Sequence, residues 1–256
     1  MNLPILPAQP GCTNCDLHTG CKSVGLPSLW IENSLAPAPD VPAVVFVGQN
    51  PGYHEDVAGE IFVGKTGGLV RGASVNGKWY DGGYVDGISL RTRASVYLTN
   101  TVRCWTVADA KPSAKQIKAC VPYLLSDLES IAALHRSVSV VLMGDVAVKG
   151  WFKVLFRTKG DKTSLKKAFK RNAHAYTLPS GRTVTLFSTF HPAYILRNIN
   201  YAHAVDLHMS MLDRHLSGTI TSVSTPHIIL PRNPITCPAK PSKLTSSPPP
   251  SPSVAS

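Results

Sequence analysis

Residues Val44–Asp56 read VVFVGQNPGYHED: an apolar run, a glycine, and then Gln49, Asn50, Tyr53, His54, Glu55 and Asp56 in close succession. An unbroken run of β-branched and aromatic residues describes a strand covered on both faces. The Gly and Pro that follow punctuate it. The chain therefore delivers ionisable and amide side chains at the point where a buried strand ends.

Working outward, Ala43–Val47 is one of four such runs; the others are Val96–Thr99, Val138–Met143 and Val184–Ser188. Helical patterns lie between them. The clearest follows PSAKQ, where Ser113 and Gln116 make a capping box. Ile117, Cys120, Val121, Leu124, Leu125 and Leu128 then recur on one helical face. Gly64–Ala73 is predicted as the helix after the first strand, and the glycine-rich stretch Ser74–Arg93, including Asn76–Asp86, as an irregular insertion. Strands alternating with helices predict an α/β fold, a three-layer α/β/α sandwich around a central, mostly parallel four-stranded sheet. Gln49 and Asn50 follow the first strand, Asn100 ends the second and His191 follows the fourth. Ligands bind beyond the carboxyl ends of strands in such sheets, so these segments are expected to share one cleft.

The chain has 256 residues, 43% of them hydrophobic, enough for one sizeable core. Its formal charge of +11 and pI near 9.5 favour a polyanionic partner, nucleic acid or an acidic membrane surface. No run of ~18 apolar residues is present, so nothing is expected to span a membrane. The start, MNLPILPAQPGC, lacks a signal-peptide pattern. A cytoplasmic protein is expected, nucleoid-associated or in a host-cell cytoplasm, where six cysteines serve metal binding rather than disulfides. After Asp213 there is no acidic residue, and nine of the 21 prolines lie between Pro226 and Pro252. Residues 1–217 are read as the folded domain and 218–256 as a disordered Pro/Ser-rich basic tail.

Four motifs bear on chemistry. Gly59–Thr66, GEIFVGKT, satisfies the phosphate-loop pattern, but that loop must leave a strand directly, and here the strand ends well before it. A nucleotide hydrolase is thus disfavoured against a turn before a helix. Cys12 and Cys15 form a CxxC, and Cys104 and Cys120 stand sixteen positions apart. Four thiolates suit zinc or an iron–sulfur cluster, whereas Cys120 alone also fits an ordinary buried thiol. Cys21 and Cys237 look spare. In Thr189–Asn198, TFHPAYILRN, the His-Pro pair is expected to expose Ala193, Tyr194, Ile195 and Leu196 beside Arg197, apolar residues and a cation suited to wedging into a base stack. The alternative is the first turn of a helix packed on the core. Finally, Lys149–Arg171 holds nine basic residues and one acid, Asp161, either a solvated face or a phosphate grip.

Five segments in order, CTNCDL, GQNPGYHEDVAGEIFVGKTG, YLTNTVRCW, PSAKQIKACVPYLLSDL and TFHPAYILR, resemble the uracil-DNA glycosylase superfamily, most closely its family 4 iron–sulfur enzymes. The resemblance runs from Cys12 to about Leu216. It accounts for the look-alike phosphate loop, because family 4 carries a similar stretch whose phenylalanine stacks on uracil. It implies a [4Fe–4S] cluster on Cys12, Cys15, Cys104 and Cys120, with a structural role. It implies that Phe62 forms the floor of a uracil pocket and that Asn100 reads the base, donating to O4 and accepting from N3–H. Cytosine presents the opposite pattern, and buried groups left unpaired reject a wrong base by ~10⁴-fold or more. His191 would hydrogen-bond uracil O2, and Glu55 would help exclude thymine. Gly48 and Gly52 fall among the substrate-binding positions, and Tyr194, Leu196 and Arg197 among those for DNA.

The chain also departs from family 4, which usually has GEAPG or GEGPG where Gly48–Gly52 reads GQNPG. Gln49 is similar to the GQDPYH motif of family 1, and Asn50 to the GINPG of the mismatch-specific branch. An amide cannot take a proton, but its carbonyl can orient water. Largely dissociative cleavage then needs charge stabilisation rather than a strong base. Gly52 leaves room where family 1 has a tyrosine that excludes a 5-methyl group. The implied protein is a monofunctional glycosylase acting as a monomer on uracil-containing DNA, single- or double-stranded. The alternative is a non-catalytic uracil-DNA-binding protein or a covalent trap; the trap is disfavoured because the fifteen residues between Cys104 and Cys120 contain no histidine.

Overall fold

The four apolar runs pair as parallel neighbours in the protein's computed structural model, which describes residues 8–71, 83–151 and 173–219. Strands β2 (Ala43–Gly48), β3 (Ser95–Asn100) and β4 (Val138–Met143) are buried at every position. With β6 (Thr183–Thr189) they form the parallel centre β3-β2-β4-β6. The sheet has six strands rather than the expected four. A two-residue β1 (Leu29–Trp30) pairs antiparallel with β3, and β5 (His174–Thr177) pairs antiparallel with β6. The search for continuous apolar runs misses both for one reason. They are edge strands, two and four residues long and mostly half-buried, so they carry no such run.

Strand alternation sorts the central side chains between two layers. Val45, Val47, Val140 and Leu142 pack against Val121, Leu124, Leu125 and Leu128 of α4 (Ala114–Leu134). Val44, Phe46, Leu98 and Val141 pack on the other face. There they meet α2 (Lys65–Arg71), α3 (Gly83–Asp86) and α7 (Ala202–Leu216). Each such fully buried side chain contributes ~1.5–3 kcal/mol of hydrophobic stabilisation. Two short helices, α5 (Gly144–Lys149) and α6 (Pro192–Arg197), leave β4 and β6 at their carboxyl ends. The capping box of α4 is present: the Gln116 amide donates to Ser113 Oγ at 3.3 Å and the Ser113 amide to Gln116 Oε1 at 2.8 Å.

The helix expected over Gly64–Ala73 is present as α2, but it is not the first after β2. A six-residue α1 (Tyr53–Ala58) precedes α2. Its only buried residue is Asp56, so no apolar periodicity announces it. Of the insertion Asn76–Asp86, only Gly83–Asp86 lies within the described residues, as α3. Most of the basic stretch Lys149–Arg171, and the tail from residue 220, lie outside them.

One buried charge pair fastens the loop after β3 to α4. Arg103 donates to Asp127, both side chains nearly water-free, and Ser28 Oγ donates to the same carboxylate at 2.5 Å. Removing one partner of such a pair leaves an uncompensated buried charge. Asp127→Ala is therefore expected to destabilise the fold by ~3–5 kcal/mol. Urea unfolding checks this, and a loss below about 1 kcal/mol would contradict the pairing as drawn.

Candidate active site

The carboxyl ends of the central strands carry the predicted side chains. Gly48 and Asn100 are in-register partners at the ends of β2 and β3. A Cβ on Gly48 would lie 2.3 Å from Asn100 Oδ1 and 2.8 Å from Phe62 Cζ. Residue 48 is thus the point where the amide and the aromatic ring converge, and a side chain there would displace both. Asn100 is 5% exposed, and among the described residues nothing hydrogen-bonds its side chain. An amide whose donor and acceptor are both uncommitted is free to pair with a ligand's polar edge. Phe62 is buried and holds φ at 58°, the left-handed region that a bulky residue rarely adopts. Its backbone is pressed by the start of α2, since a Cβ on Gly67 would fall 1.7 Å from Phe62 O. Strain of this kind persists where surrounding packing over-determines it, commonly at ligand sites.

The loop after β2 is held by the loop after β3. The amides of Thr101 and Val102 donate to the carbonyls of Gly48 and Gln49, each at 3.0 Å. Asn50 Nδ2 donates to Pro51 O at 2.8 Å and to Thr106 Oγ1 at 3.1 Å. Both amide protons of Asn50 are thereby used, which leaves its Oδ1 as an acceptor on the opposite side. Glu55 Oε2 accepts the Gly52 amide at 2.8 Å, so its carboxylate also caps α1. Its other oxygen faces Gly64, 3.7 Å from where a Cβ would stand. Glu55 lies between the Gly52 turn and the Phe62 segment.

His191 is the N-cap of α6. Its Nδ1 accepts the Ala193 amide at 3.2 Å. With Nδ1 accepting, the neutral ring carries its proton on Nε2 as a donor. Burial, reinforced by Arg197, pushes the His191 pKa down to about 4. Its Cβ is backed by Gly144 at the end of β4, where φ is 82° and any Cβ would lie 2.7 Å away. Strands β2 and β4 are paired neighbours, about 5 Å apart, so Gly144 and His191 stand beside the Gly48 corner. The expected exposed wedge is corrected: Pro192 starts a helix, and helical spacing turns Ile195 fully into the core. Tyr194 and Leu196 are half-buried against that core, and Tyr194 stacks on Phe190 with ring centres 5.4 Å apart. Arg197 is exposed.

Behind the Asn100 loop, Cys12, Cys15, Cys104 and Cys120 line one cavity together with Arg103 and Tyr123. The Gly25 amide donates to Cys104 Sγ at 3.2 Å and Tyr123 OH to Cys12 Sγ at 3.4 Å. Cys21, read as spare, contacts Cys104 without lining the cavity. Among the described residues no three His, Cys, Asp or Glu side chains already gather around a single metal-ion position. In a cluster each cysteine binds its own iron, so four sulfurs around a common cavity suit a cluster better than one zinc ion. The N–H···S bond from Gly25 is of the kind that tunes such sulfurs. Asp56 joins this region to α1, accepting the amides of Lys22 and Ser23 at 2.9 Å each.

Thr106, Gly144, Gly67, Asp56 and Tyr123 were not anticipated as supporting residues. Gly144, directly after a buried strand, is the one whose type hinted at a close approach. The look-alike phosphate loop leaves a helix: Gly59 is the left-handed C-cap of α1, and no strand feeds the turn.

The profile of the Uracil DNA glycosylase superfamily matches residues 37–207. The chain belongs to the uracil DNA glycosylase superfamily. It is 29% identical over 185 residues to the Type-4 uracil-DNA glycosylase of Archaeoglobus fulgidus, covering 72% of this chain and 78% of that protein. It is 29% identical over 191 residues to the Type-4 uracil-DNA glycosylase of Thermotoga maritima, covering 73% and 79%. To that of Pyrobaculum aerophilum it is 27% identical over 154 residues, covering 60% and 68%.

The His191 geometry has a direct spectroscopic consequence. Its ring resonances are expected to titrate near pH 4, with no change around pH 6.5. Because the folded ring resists protonation, the folded state loses stability as pH falls from about 6.5 through about 4. A midpoint at or above 6 in a histidine NMR titration would contradict the accepting Nδ1.

Proposed function

We propose that this protein is a monofunctional DNA glycosylase that hydrolyses the N-glycosidic bond of uracil in DNA and leaves an abasic site. The observation that carries the reading is the buried, unpartnered Asn100 amide set against the Phe62 ring at Gly48. A flat base with a donor–acceptor edge is the ligand such a corner fits. The target nucleotide leaves the stack, at a cost of a few kcal/mol, and its base lies on Phe62. Asn100 donates to O4 and accepts from N3–H.

As the C1′–N1 bond breaks, its electron pair leaves with the base and negative charge grows on O2. His191, neutral at working pH, supplies Nε2–H to that oxygen. Asn50 Oδ1, aimed by Thr106, orients the water whose oxygen bonds to C1′; the water's proton passes to solvent. Gly52 leaves space beside C5, and the Glu55 carboxylate borders it. Tyr194, Leu196 and Arg197 on α6 form the DNA-facing rim next to His191.

The cysteine cavity is proposed to hold a [4Fe–4S] cluster on Cys12, Cys15, Cys104 and Cys120, which ties the N-terminal segment to α4 and the Asn100 loop. No catalytic step runs through it. Protein purified without oxygen is expected to be brown and to contain about four irons per chain. Colourless protein with one zinc per chain would refute the cluster.

The decisive assay incubates labelled uracil-containing oligonucleotides with the protein and cleaves abasic sites with alkali. Wild type is expected to yield strand breaks at uracil. His191→Ala is expected to lower turnover by about 10²-fold or more, as for loss of an oxyanion donor. Asn50→Asp is expected to retain or raise activity, since a carboxylate also orients water. Intact strands with wild type would overturn the reading, and equal turnover in His191→Ala would remove His191 from the mechanism.

A further inference from the structure

Tyr53 opens α1 immediately after the Gly52 turn and is 48% exposed, although the loop it follows is otherwise partly covered. Its ring lies 5.6 Å from that of Trp105, with planes at 65°. The indole is fixed in place: Trp105 Nε1 donates to Asp109 Oδ1 at 2.7 Å. The residue after it, Thr106, is the one that aims Asn50. Lys22 Nζ sits 5.8 Å from the Tyr53 ring centre. Val107, 63% exposed, extends the apolar surface.

The core tyrosines of this fold behave differently. Tyr84 is buried with its hydroxyl bonded to Phe190 O at 3.0 Å, and Tyr97 is buried with its hydroxyl on His135 at 2.9 Å. Tyr53 instead is half exposed to solvent, with Lys22 over one face of its ring, three residues from the water-orienting amide. Aromatic faces flanked by positive charge are what single-stranded nucleic acid binds, because every base has a π-face and every linkage a phosphate. The net charge of +11 complements the same partner.

We propose that Tyr53, braced edge-on by Trp105, is a stacking platform for the nucleobase next to the excised nucleotide in single-stranded DNA. The proposal rests on the uracil-excision reading and adds a subsite to it. The sugar attacked over Asn50 places the adjoining nucleotide one backbone repeat away, within reach of the ring. Lys22 neutralises a nearby phosphate.

The test uses single-stranded oligonucleotides with a tetrahydrofuran abasic residue at the target position, so that no turnover is needed. The neighbouring position, on the 5′ or the 3′ side, carries either a base or a second tetrahydrofuran, and Kd is read by fluorescence anisotropy. A base stacked on an aromatic ring is worth ~1–3 kcal/mol, so deleting it on one side is expected to weaken wild-type binding by about 5–100-fold. Tyr53→Ala is expected to lose the same factor on the intact oligonucleotide and nothing more when the base is deleted. Tyr53→Phe, which keeps the ring, is expected to retain wild-type sensitivity. The salt dependence of Tyr53→Ala binding is expected to match wild type, because no phosphate contact is removed. Equal sensitivity in wild type and Tyr53→Ala, or no sensitivity in wild type on either side, overturns the platform. Wild type that shows this binding pattern yet releases no uracil would overturn the glycosylase reading and leave the platform standing.

Discussion

The absence of a side chain at residue 48 is the constraint on which the site is built. Any Cβ there would collide with both the Asn100 carboxamide and the Phe62 ring. That close approach lets two paired strand ends and a separate loop meet at one point. The cost is carried by Phe62, whose backbone is held left-handed by the packing of α2 at Gly67. Rigid strands supply the position of Asn100, and a strained turn supplies the floor. Preorganisation of this sort leaves little to rearrange when a ligand arrives.

A second network fixes the loops that flank this corner. The loop after β3 passes from Asn100 through Thr101 and Val102, which bond the Gly48–Gln49 backbone, to Arg103, Cys104 and Thr106. In these few residues it presents the Asn100 amide, steadies the adjoining loop, enters a buried ion pair, lines the cysteine cavity and bonds Asn50. The site and the cysteine cavity are therefore two sides of one loop.

Much of this was legible in the sequence because the signals are local. Val44–Val47 and its three counterparts announce fully covered strands, and Ser113 with Gln116 announces the start of α4. Gln49, Asn100 and His191 were traceable to one edge of the sheet because parallel pairing sends the carboxyl ends of β2, β3 and β6 the same way. What stayed hidden depends on tertiary context. The β5 strand has no apolar run because it lies at an edge. Helix α1 buries only a carboxylate, so hydropathy is silent there. Ile195 looked exposed until Pro192 was seen to begin a helix that turns it inward. Thr106 has no distinguishing feature in the chain; only the fold brings it to Asn50. Resemblance to a family supplied the roles of the four cysteines, which spacing alone left between zinc, cluster and buried thiol.

Asp56 gives the N-terminal segment a grip on the catalytic loop. Its carboxylate clasps the amides of Lys22 and Ser23 from the first turn of the same short helix that Tyr53 begins. Thr106 grips the loop's other flank. Residues 49–52 are thus suspended between two anchors, each a few positions along the chain from a cysteine of the cavity region, Cys21 on one side and Cys104 on the other. Loosening that region would slacken both moorings at once, so an oxidant acting on sulfur could blunt the enzyme from a distance while leaving every substrate-contacting side chain chemically intact.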